Sequence, residues 1–164
     1  QLYILEKYIG LPVAEAGAVL SSMSVVIMVV SLVASLTSGA ISDKIGRRKS
    51  IILVATIMMC IGIALPWLLK SVIGMYGFAL LAGLGYGIYS SVDQALNVDV
   101  LPDKENAGKD LGILNIANTI GQILGPIVTS AIVVATGSYF MAFPISIVLI
   151  AVGYVSIMLI KSAK

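Results

Sequence analysis

Five long stretches without a charged side chain dominate this sequence and constrain what it can fold into. They cover residues 18–42, 50–69, 72–92, 111–136 and 139–160. An α-helix of about 20 apolar residues crosses the roughly 30 Å hydrocarbon core of a bilayer, because each residue adds about 1.5 Å. Helices also satisfy their own backbone hydrogen bonds, which lipid cannot do. The sequence therefore predicts an all-α membrane protein with five complete transmembrane helices.

The composition agrees with this fold and excludes several functions. Of the 164 residues, 59% are hydrophobic and 11% are charged, whereas charged residues make up about a quarter of a typical soluble domain. The chain has no histidine, and its one cysteine, Cys60, lies within an apolar stretch. Internal disulfides, metal sites rich in cysteine, and Ser-His-Asp or zinc catalysis are therefore excluded within these residues. No basic stretch with interleaved aromatic residues indicates nucleic acid binding, and we predict no cofactor and no metal.

The start of the sequence and the small residues within the spans carry further signals. Residues 1–9 mix apolar side chains with charges and resemble the end of an earlier, sixth span, so we expect the sequence to be a fragment. Pro12 suits the first turn of the helix that follows. Small residues four apart predict close helix contacts; they are Ser31, Ser35 and Gly39 in the first span, Gly83 and Gly87 in the third, and Gly121 and Gly125 in the fourth.

The densest charge cluster, residues 43–49, joins the first two spans. Gly46 can adopt the positive φ that a tight reversal needs. Asp43 offers an acceptor for free N–H groups at the start of a neighbouring helix. Arg47 and Arg48 can each bind a carboxylate through two hydrogen bonds. A simpler alternative is that the cations only fix the orientation of the chain in the membrane.

This order of residues resembles the signature loop of the major facilitator superfamily of secondary transporters, G-x-L-A-D-x-x-G-R-R/K. Ile41 stands for the leucine and Ser42 for the alanine, and the matching positions are Gly39, Asp43, Gly46, Arg47 and Arg48. The resemblance covers nearly the whole chain. It implies that residues 1–164 are the C-terminal six-helix half of a twelve-helix transporter whose N-terminal half is absent here. Residues 99–118 are also similar to bacterial sugar carriers of this superfamily.

Lysine and arginine are distributed unequally between the two ends of the spans. All but Lys7 and Lys70 lie in the loop 43–49, in the loop 97–110 or in the C-terminal tail. Positive residues tend to remain in the cytoplasm. Both loops and the C-terminus are therefore predicted to be cytoplasmic. The resemblance to bacterial carriers implies a multi-pass protein of a bacterial cell membrane.

Polar side chains recur along one face of the third span. At about 100° per residue, this face holds Tyr86, Tyr89, Ser90, Asp93, Gln94 and Asn97. Since a carboxylate in the membrane costs ~2.5–3.5 kcal/mol, the face is predicted to meet a water-filled cavity or another helix. The resemblance implies a cavity, which makes Tyr86, Tyr89, Asp93 and Gln94 candidates for binding substrate. Alternatively, Asp93, Gln94 and Asn97 lie in the cytoplasmic interface where the helix leaves the membrane.

The fourth span has a second polar face, within about 100° of arc. It holds Asn115, Asn118, Thr119, Gln122 and Thr129. These side chains either bond to another helix, at ~0.6 kcal/mol per hydrogen bond, or reach the substrate. Asn115, Asn118 and Gln122 are the candidates for substrate binding on this span.

The resemblance also implies a conformational latch in the cytoplasmic loops. By analogy with the superfamily, Arg47 pairs with Asp99, while Asp43 faces the start of a helix in the absent half. These contacts would hold the outward-facing state and break on opening inward. An exposed ion pair is worth only ~0–1 kcal/mol, which suits a latch that has to open.

We therefore predict a secondary active transporter that moves a small organic solute, a sugar or a drug, by symport or antiport with protons. Asp93 is the candidate for proton exchange in these residues, unless coupling resides in the absent half. The alternative is a membrane sensor or assembly protein that kept the fold and lost transport. An enzyme is not predicted, because intramembrane aspartyl proteolysis needs two membrane carboxyls and only Asp93 is available.

Overall fold

The structure of the chain, a computed structural model, describes residues 1–46, 48–99 and 107–159, with only the backbone of residues 43, 97–99 and 107. After a short π-helical segment, Ile4–Ile9, it has five α-helices: α1 (Val13–Ile45), α2 (Arg48–Leu69), α3 (Val72–Asp99), α4 (Ala107–Thr136) and α5 (Ala142–Met158). A short 3₁₀ helix, Tyr139–Met141, leads into α5. Five segments are long and apolar enough to cross a membrane, and the described residues contain no strand. The predicted fold class is confirmed.

Local signals in the sequence set the two ends of α1. Pro12, with φ −57° and ψ 147°, precedes the helix, and Glu15 lies in its first turn. At the other end Gly46 has the expected positive φ, +64°, and its N–H donates to the carbonyl of Ser42 at 2.9 Å. A residue with a Cβ would pay about 1–2 kcal/mol for this left-handed conformation. Glycine therefore lets the chain leave α1 and enter α2 at Arg48.

The third and fourth helices are longer than the uncharged stretches that predicted them. α3 continues past Val92 to Asp99, because Val92 and Leu96 lie one helical turn apart and pack with Ile52 in a buried cluster. α4 begins at Ala107, before the uncharged stretch at residues 111–136. The segment 97–110 thus begins and ends with helical turns.

α3 lies between α1 and α2, and glycines line both of its contacts. On the α1 side, a Cβ on Gly87 would collide with the carbonyl oxygen of Ser31. On the α2 side, a Cβ on Gly85 would lie 2.7 Å from the carbonyl oxygen of Ala55. Because glycine has no side chain, the three helix backbones can approach closely at these positions. This close packing compensates for the poor helix propensity of glycine.

The remaining helices are arranged less tightly. α5 packs on α2, and α4 contacts the described chain mainly through the 3₁₀ helix and α5. Side chains 111–128 of α4 are exposed. The predicted small-residue contact at Gly121 and Gly125 has no neighbour within 4 Å among the described residues, whereas Gly83 and Gly87 contact Ile27 and Ser31 of α1.

An aromatic network closes the end of the bundle that holds the α2–α3 turn. The Tyr8 hydroxyl donates a hydrogen bond to the Trp67 carbonyl at 3.0 Å, and the Tyr8 ring centroid lies 5.2 Å from that of Phe143. Trp67 contacts Phe140 at 5.6 Å, and the Lys70 ammonium lies 5.2 Å from the Tyr8 ring centroid. The network therefore ties the N-terminal segment to the ends of α2 and α5.

Candidate functional site

The signature residues are spread over the last turns of α1 and the start of α2. A Cβ on Gly39 would lie 3.1 Å from the hydroxyl of Ser91, so this glycine serves the close contact of α1 with α3. Asp43 lies in the final turns of α1, Gly46 forms the turn, and Arg48 begins α2. The backbone arrangement thus brings the signature residues to one end of the bundle.

The residues of the predicted latch fall largely outside the described part of the structure. Arg47 is not described, and only the backbone is described for Asp43 and for Asp99, the last residue of α3. A different contact is seen nearby. The Lys49 ammonium donates to the carbonyl of Met158 at the end of α5, at 3.5 Å. A cation is favourable at a helix C-terminus, so Lys49 links the α1–α2 turn to α5.

The polar face of α3 lies on the side of the helix that α1 and α2 leave open. Tyr86 is 56% exposed and Gln94 is exposed, whereas Ser90 and Asp93 are half-buried. These four side chains line the same open side of α3, from the middle of the helix towards its C-terminal end. The side chain of Asn97 is not described.

Tyr89 and Asp93 form a pair. Their side chains share a hydrogen bond, with the Tyr89 hydroxyl as donor to the carboxylate one turn along α3. The Tyr89 ring is packed beside a cavity of about 260 Å³ between α2, α3 and α5, which Thr56, Met59 and Tyr154 also line. The structure therefore places the Tyr89 ring apart from Tyr86, although the two were predicted as neighbours on one face.

A groove between α1 and α3 is lined by several hydroxyl groups, including that of Tyr86. It has a volume of about 310 Å³ and is lined by Met28, Ser31, Leu32, Ser35, Tyr86 and Ser90. We call it the hydroxyl groove. Sequence reasoning assigned Ser31 and Ser35 only to helix contact, and it missed that these serines line a groove with Tyr86 and Ser90. The available signal was their repeat at i and i+4 in the middle of an uncharged span.

The candidates on α4 are not brought to the hydroxyl groove. Asn115, Asn118 and Gln122 are exposed. The hydroxyls of Thr119 and Thr129 donate to carbonyls of their own helix, those of Asn115 and Gly125, each at 2.9 Å. The three amide side chains thus form a polar stripe on a helix that the described chain leaves uncovered.

Comparison with known proteins assigns the chain to a family. Residues 2–163 match the sequence profile of the Major Facilitator Superfamily. The chain belongs to this superfamily. The resemblance drawn from the signature loop is confirmed at that level, and the five apolar helices fit part of a transporter of the Major Facilitator Superfamily.

A curated relative shows how much of a transporter this chain represents. The chain is 31% identical over 132 residues to YfiU, an uncharacterized MFS-type transporter of Bacillus subtilis (strain 168). The match covers 79% of this chain and 24% of YfiU, so the chain spans about a quarter of the length of this curated relative. No solved structure matches the chain.

Proposed function

We propose that this chain is the C-terminal half of a secondary active transporter that moves a small organic solute across a bacterial cell membrane by alternating access. Its membership of the Major Facilitator Superfamily and its similarity to an MFS-type transporter support this function. The observation that carries the proposal furthest is the open face of α3. Tyr86, Ser90 and Asp93 lie there on a helix that is otherwise apolar enough to cross the membrane.

The polar face supports transport because lipid cannot satisfy such groups. A carboxylate within a span costs ~2.5–3.5 kcal/mol and is usually found beside a water-filled pathway or another helix. Asp93 is in contact with Tyr89 and is half-buried. We assign it the exchange of the coupling proton, and we assign substrate contacts to Tyr86, Gln94 and the α4 amides Asn115, Asn118 and Gln122. The Tyr89 ring supports the carboxylate from the α5 side.

The signature residues are proposed to form a latch between the two halves. The pairing of Arg47 with Asp99 and the contact of Asp43 with a helix of the other half remain proposals. The positions of Gly46 and of the last turn of α1 support them, because they bring this segment to one end of the bundle. The excess of cations at that end supports a cytoplasmic location for it and for the C-terminus.

The proposal is tested with the native full-length protein in proteoliposomes. An imposed pH gradient should drive flux of at least one solute from a panel of radiolabelled maltose, chloramphenicol and tetraphenylphosphonium. Asp43→Asn should then slow that flux by about ten-fold or more, which corresponds to about 1.4 kcal/mol. Asp110→Asn, which removes a carboxylate from the first turn of α4, is the matched control.

Two results would contradict the proposal in different ways. Wild-type rates for Asp43→Asn would contradict the latch but leave transport intact. The absence of protein-dependent flux for every solute, with and without an ion gradient, would contradict transport itself. That second result, with a soluble protein captured by the loops, would favour a membrane sensor or assembly protein.

A further inference from the structure

The hydroxyl of Ser42, in the last turns of α1, is buried without a hydrogen bond. Ser42 is 1% exposed, and its hydroxyl oxygen has no partner within the part of the chain that the structure describes. Residues of this chain already cover it completely. Neither lipid nor the absent half of the transporter can therefore reach this hydroxyl without a change in conformation.

The other buried hydroxyls show what is unusual about Ser42. Among the described residues, three polar side chains are buried, those of Ser38, Ser42 and Thr56. Thr56 donates to the carbonyl of Ile52 at 2.8 Å, and Ser38 donates to the carbonyl of Ser35 at 3.4 Å. Bonds of this kind to a carbonyl of the same helix are common for serine and threonine. Ser42 is more deeply buried than either and has no such bond.

An unpaired buried hydroxyl destabilises the conformation that buries it. The usual cost of such a group corresponds to a change of about five- to 150-fold in an equilibrium constant. Alanine, the residue that the signature of the superfamily has at this position, would fill the same place without a polar atom. Serine therefore shifts the equilibrium at the end of α1 towards any arrangement in which its hydroxyl meets water.

Ser42 lies where α1 ends, so this effect acts on the signature segment. Its carbonyl accepts the N–H of Gly46 at 2.9 Å, the bond that closes the helix, and Asp43 is the next residue. One turn earlier, Gly39 packs against Ser91 of α3. Helix ends open locally at low free energy. Because the Gly39 contact holds α1 on α3, such an opening would be confined to the residues that follow it.

We infer that Ser42 is a conformational device within the signature segment. Its unpaired hydroxyl destabilises the closed last turn of α1, so that this turn opens readily and Asp43 moves with it. The inference deepens the proposed latch and rests on the proposed function, because Asp43 is the residue assigned to the contact with the other half. Serine in place of alanine makes that latch easier to release.

Hydrogen exchange at the Gly46 amide measures this opening, because its N–H is bonded to the Ser42 carbonyl until the last turn opens. The native full-length protein and its Ser42→Ala variant are compared in nanodiscs without solute, by mass spectrometry with fragmentation to single residues. Ser42→Ala should slow the exchange of Gly46 by about five- to 150-fold. The amide of Gly137, which donates to the Val133 carbonyl at the end of α4 at 2.8 Å, is the internal reference and should not change.

Ser38→Ala is the matched variant. It makes the same gain in helix propensity on the same helix, but it removes a hydroxyl that already has a hydrogen bond. Propensity alone should slow exchange by at most about three-fold. Equal slowing by Ser38→Ala would overturn the inference. Faster exchange in Ser42→Ala, or slowing of less than about three-fold, would overturn it too, by showing that water or another partner binds the Ser42 hydroxyl.

Transport in proteoliposomes is a separate readout. Ser42→Ala should slow solute flux by about five-fold or more, since the open turn is populated less, and Ser38→Ala should leave the flux unchanged. Normal flux in Ser42→Ala despite slowed exchange would overturn the link to the latch. Slowed exchange in a protein that moves no solute would refute transport alone, whereas unchanged exchange in a transporting protein would refute the device alone.

Discussion

The hydroxyl of Tyr89 is hydrogen-bonded to the carboxylate of Asp93, one turn along the same helix. This pair joins two environments. The Tyr89 ring packs beside Tyr154 and the cavity between α2, α3 and α5, whereas Asp93 lies on the open side of α3. A change in the charge of Asp93 would therefore be felt both in the open face and in the packing of α5.

Replacement of Asp93 by asparagine should uncouple solute movement from protons. The amide keeps an acceptor for the Tyr89 hydroxyl but cannot take up a proton at neutral pH. Accumulation of solute against its gradient should fall to the equilibrium level, while exchange of labelled for unlabelled solute should persist. Both quantities are measured in proteoliposomes with an imposed pH gradient.

The control for this experiment is Tyr89→Phe, which removes the hydrogen bond and keeps the carboxylate. It should lower the rate of accumulation by at most about a hundred-fold, since a hydrogen bond to a charged group contributes about 1.5–3 kcal/mol, and it should keep the dependence on pH gradient. Full gradient-driven accumulation by Asp93→Asn would place the coupling group elsewhere in the protein.

Gly87→Ala should destabilise the protein, because the added Cβ meets the Ser31 carbonyl on α1. Overpacking of a close contact costs typically 1–3 kcal/mol. Gly121→Ala is the matched change, with no described atom within 4 Å, and should cost nothing because alanine is the better helix former. The measurement is the free energy of unfolding of the full-length protein in mixed micelles. An equal loss at both positions would contradict a special role for the α1–α3 contact.

Tyr8→Phe should weaken the attachment of the N-terminal segment to α2. The variant loses the hydrogen bond to the Trp67 carbonyl but keeps the ring against Phe143, so the expected loss is about 0.5–1.5 kcal/mol in the free energy of unfolding. Tyr3→Phe removes a hydroxyl from a side chain that is 62% exposed and should have no effect. Unchanged stability of Tyr8→Phe would show that the ring contacts alone hold the segment.

Much of the fold followed from the sequence because hydropathy reports the free energy of moving a helix into lipid. That quantity depends on each stretch separately, and it was sufficient to predict the five spans. The spacing of Gly39, Asp43 and Gly46 was then sufficient to indicate the superfamily. It carries no information on which helices touch. Gly83 and Gly87 predicted a close contact that the structure has, whereas Gly121 and Gly125 follow the same pattern and contact nothing in the described residues.

The candidate site was predictable only in part for a related reason. Helical periodicity placed Tyr86 and Tyr89 on one polar face, but neighbouring helices divide that face, because Tyr154 and Ile157 of α5 pack near Tyr89. The contribution of Ser31 and Ser35 depended on the register between α1 and α3. That register appears in the contacts of Gly83 with Ile27 and of Gly87 with Ser31, and no polar pattern in the sequence indicates it.

Glycines allow α1 and α2 to pack closely on opposite sides of α3, and this has a mechanical consequence. Because these backbones are in direct contact, one helix has no room to tilt against the next. The three helices should therefore move together as a rigid block whenever the protein changes conformation. Spacings between probes attached to α1 and α2 would then read the same in every state of the cycle. Only spacings measured from this block to the rest of the protein would report the motion.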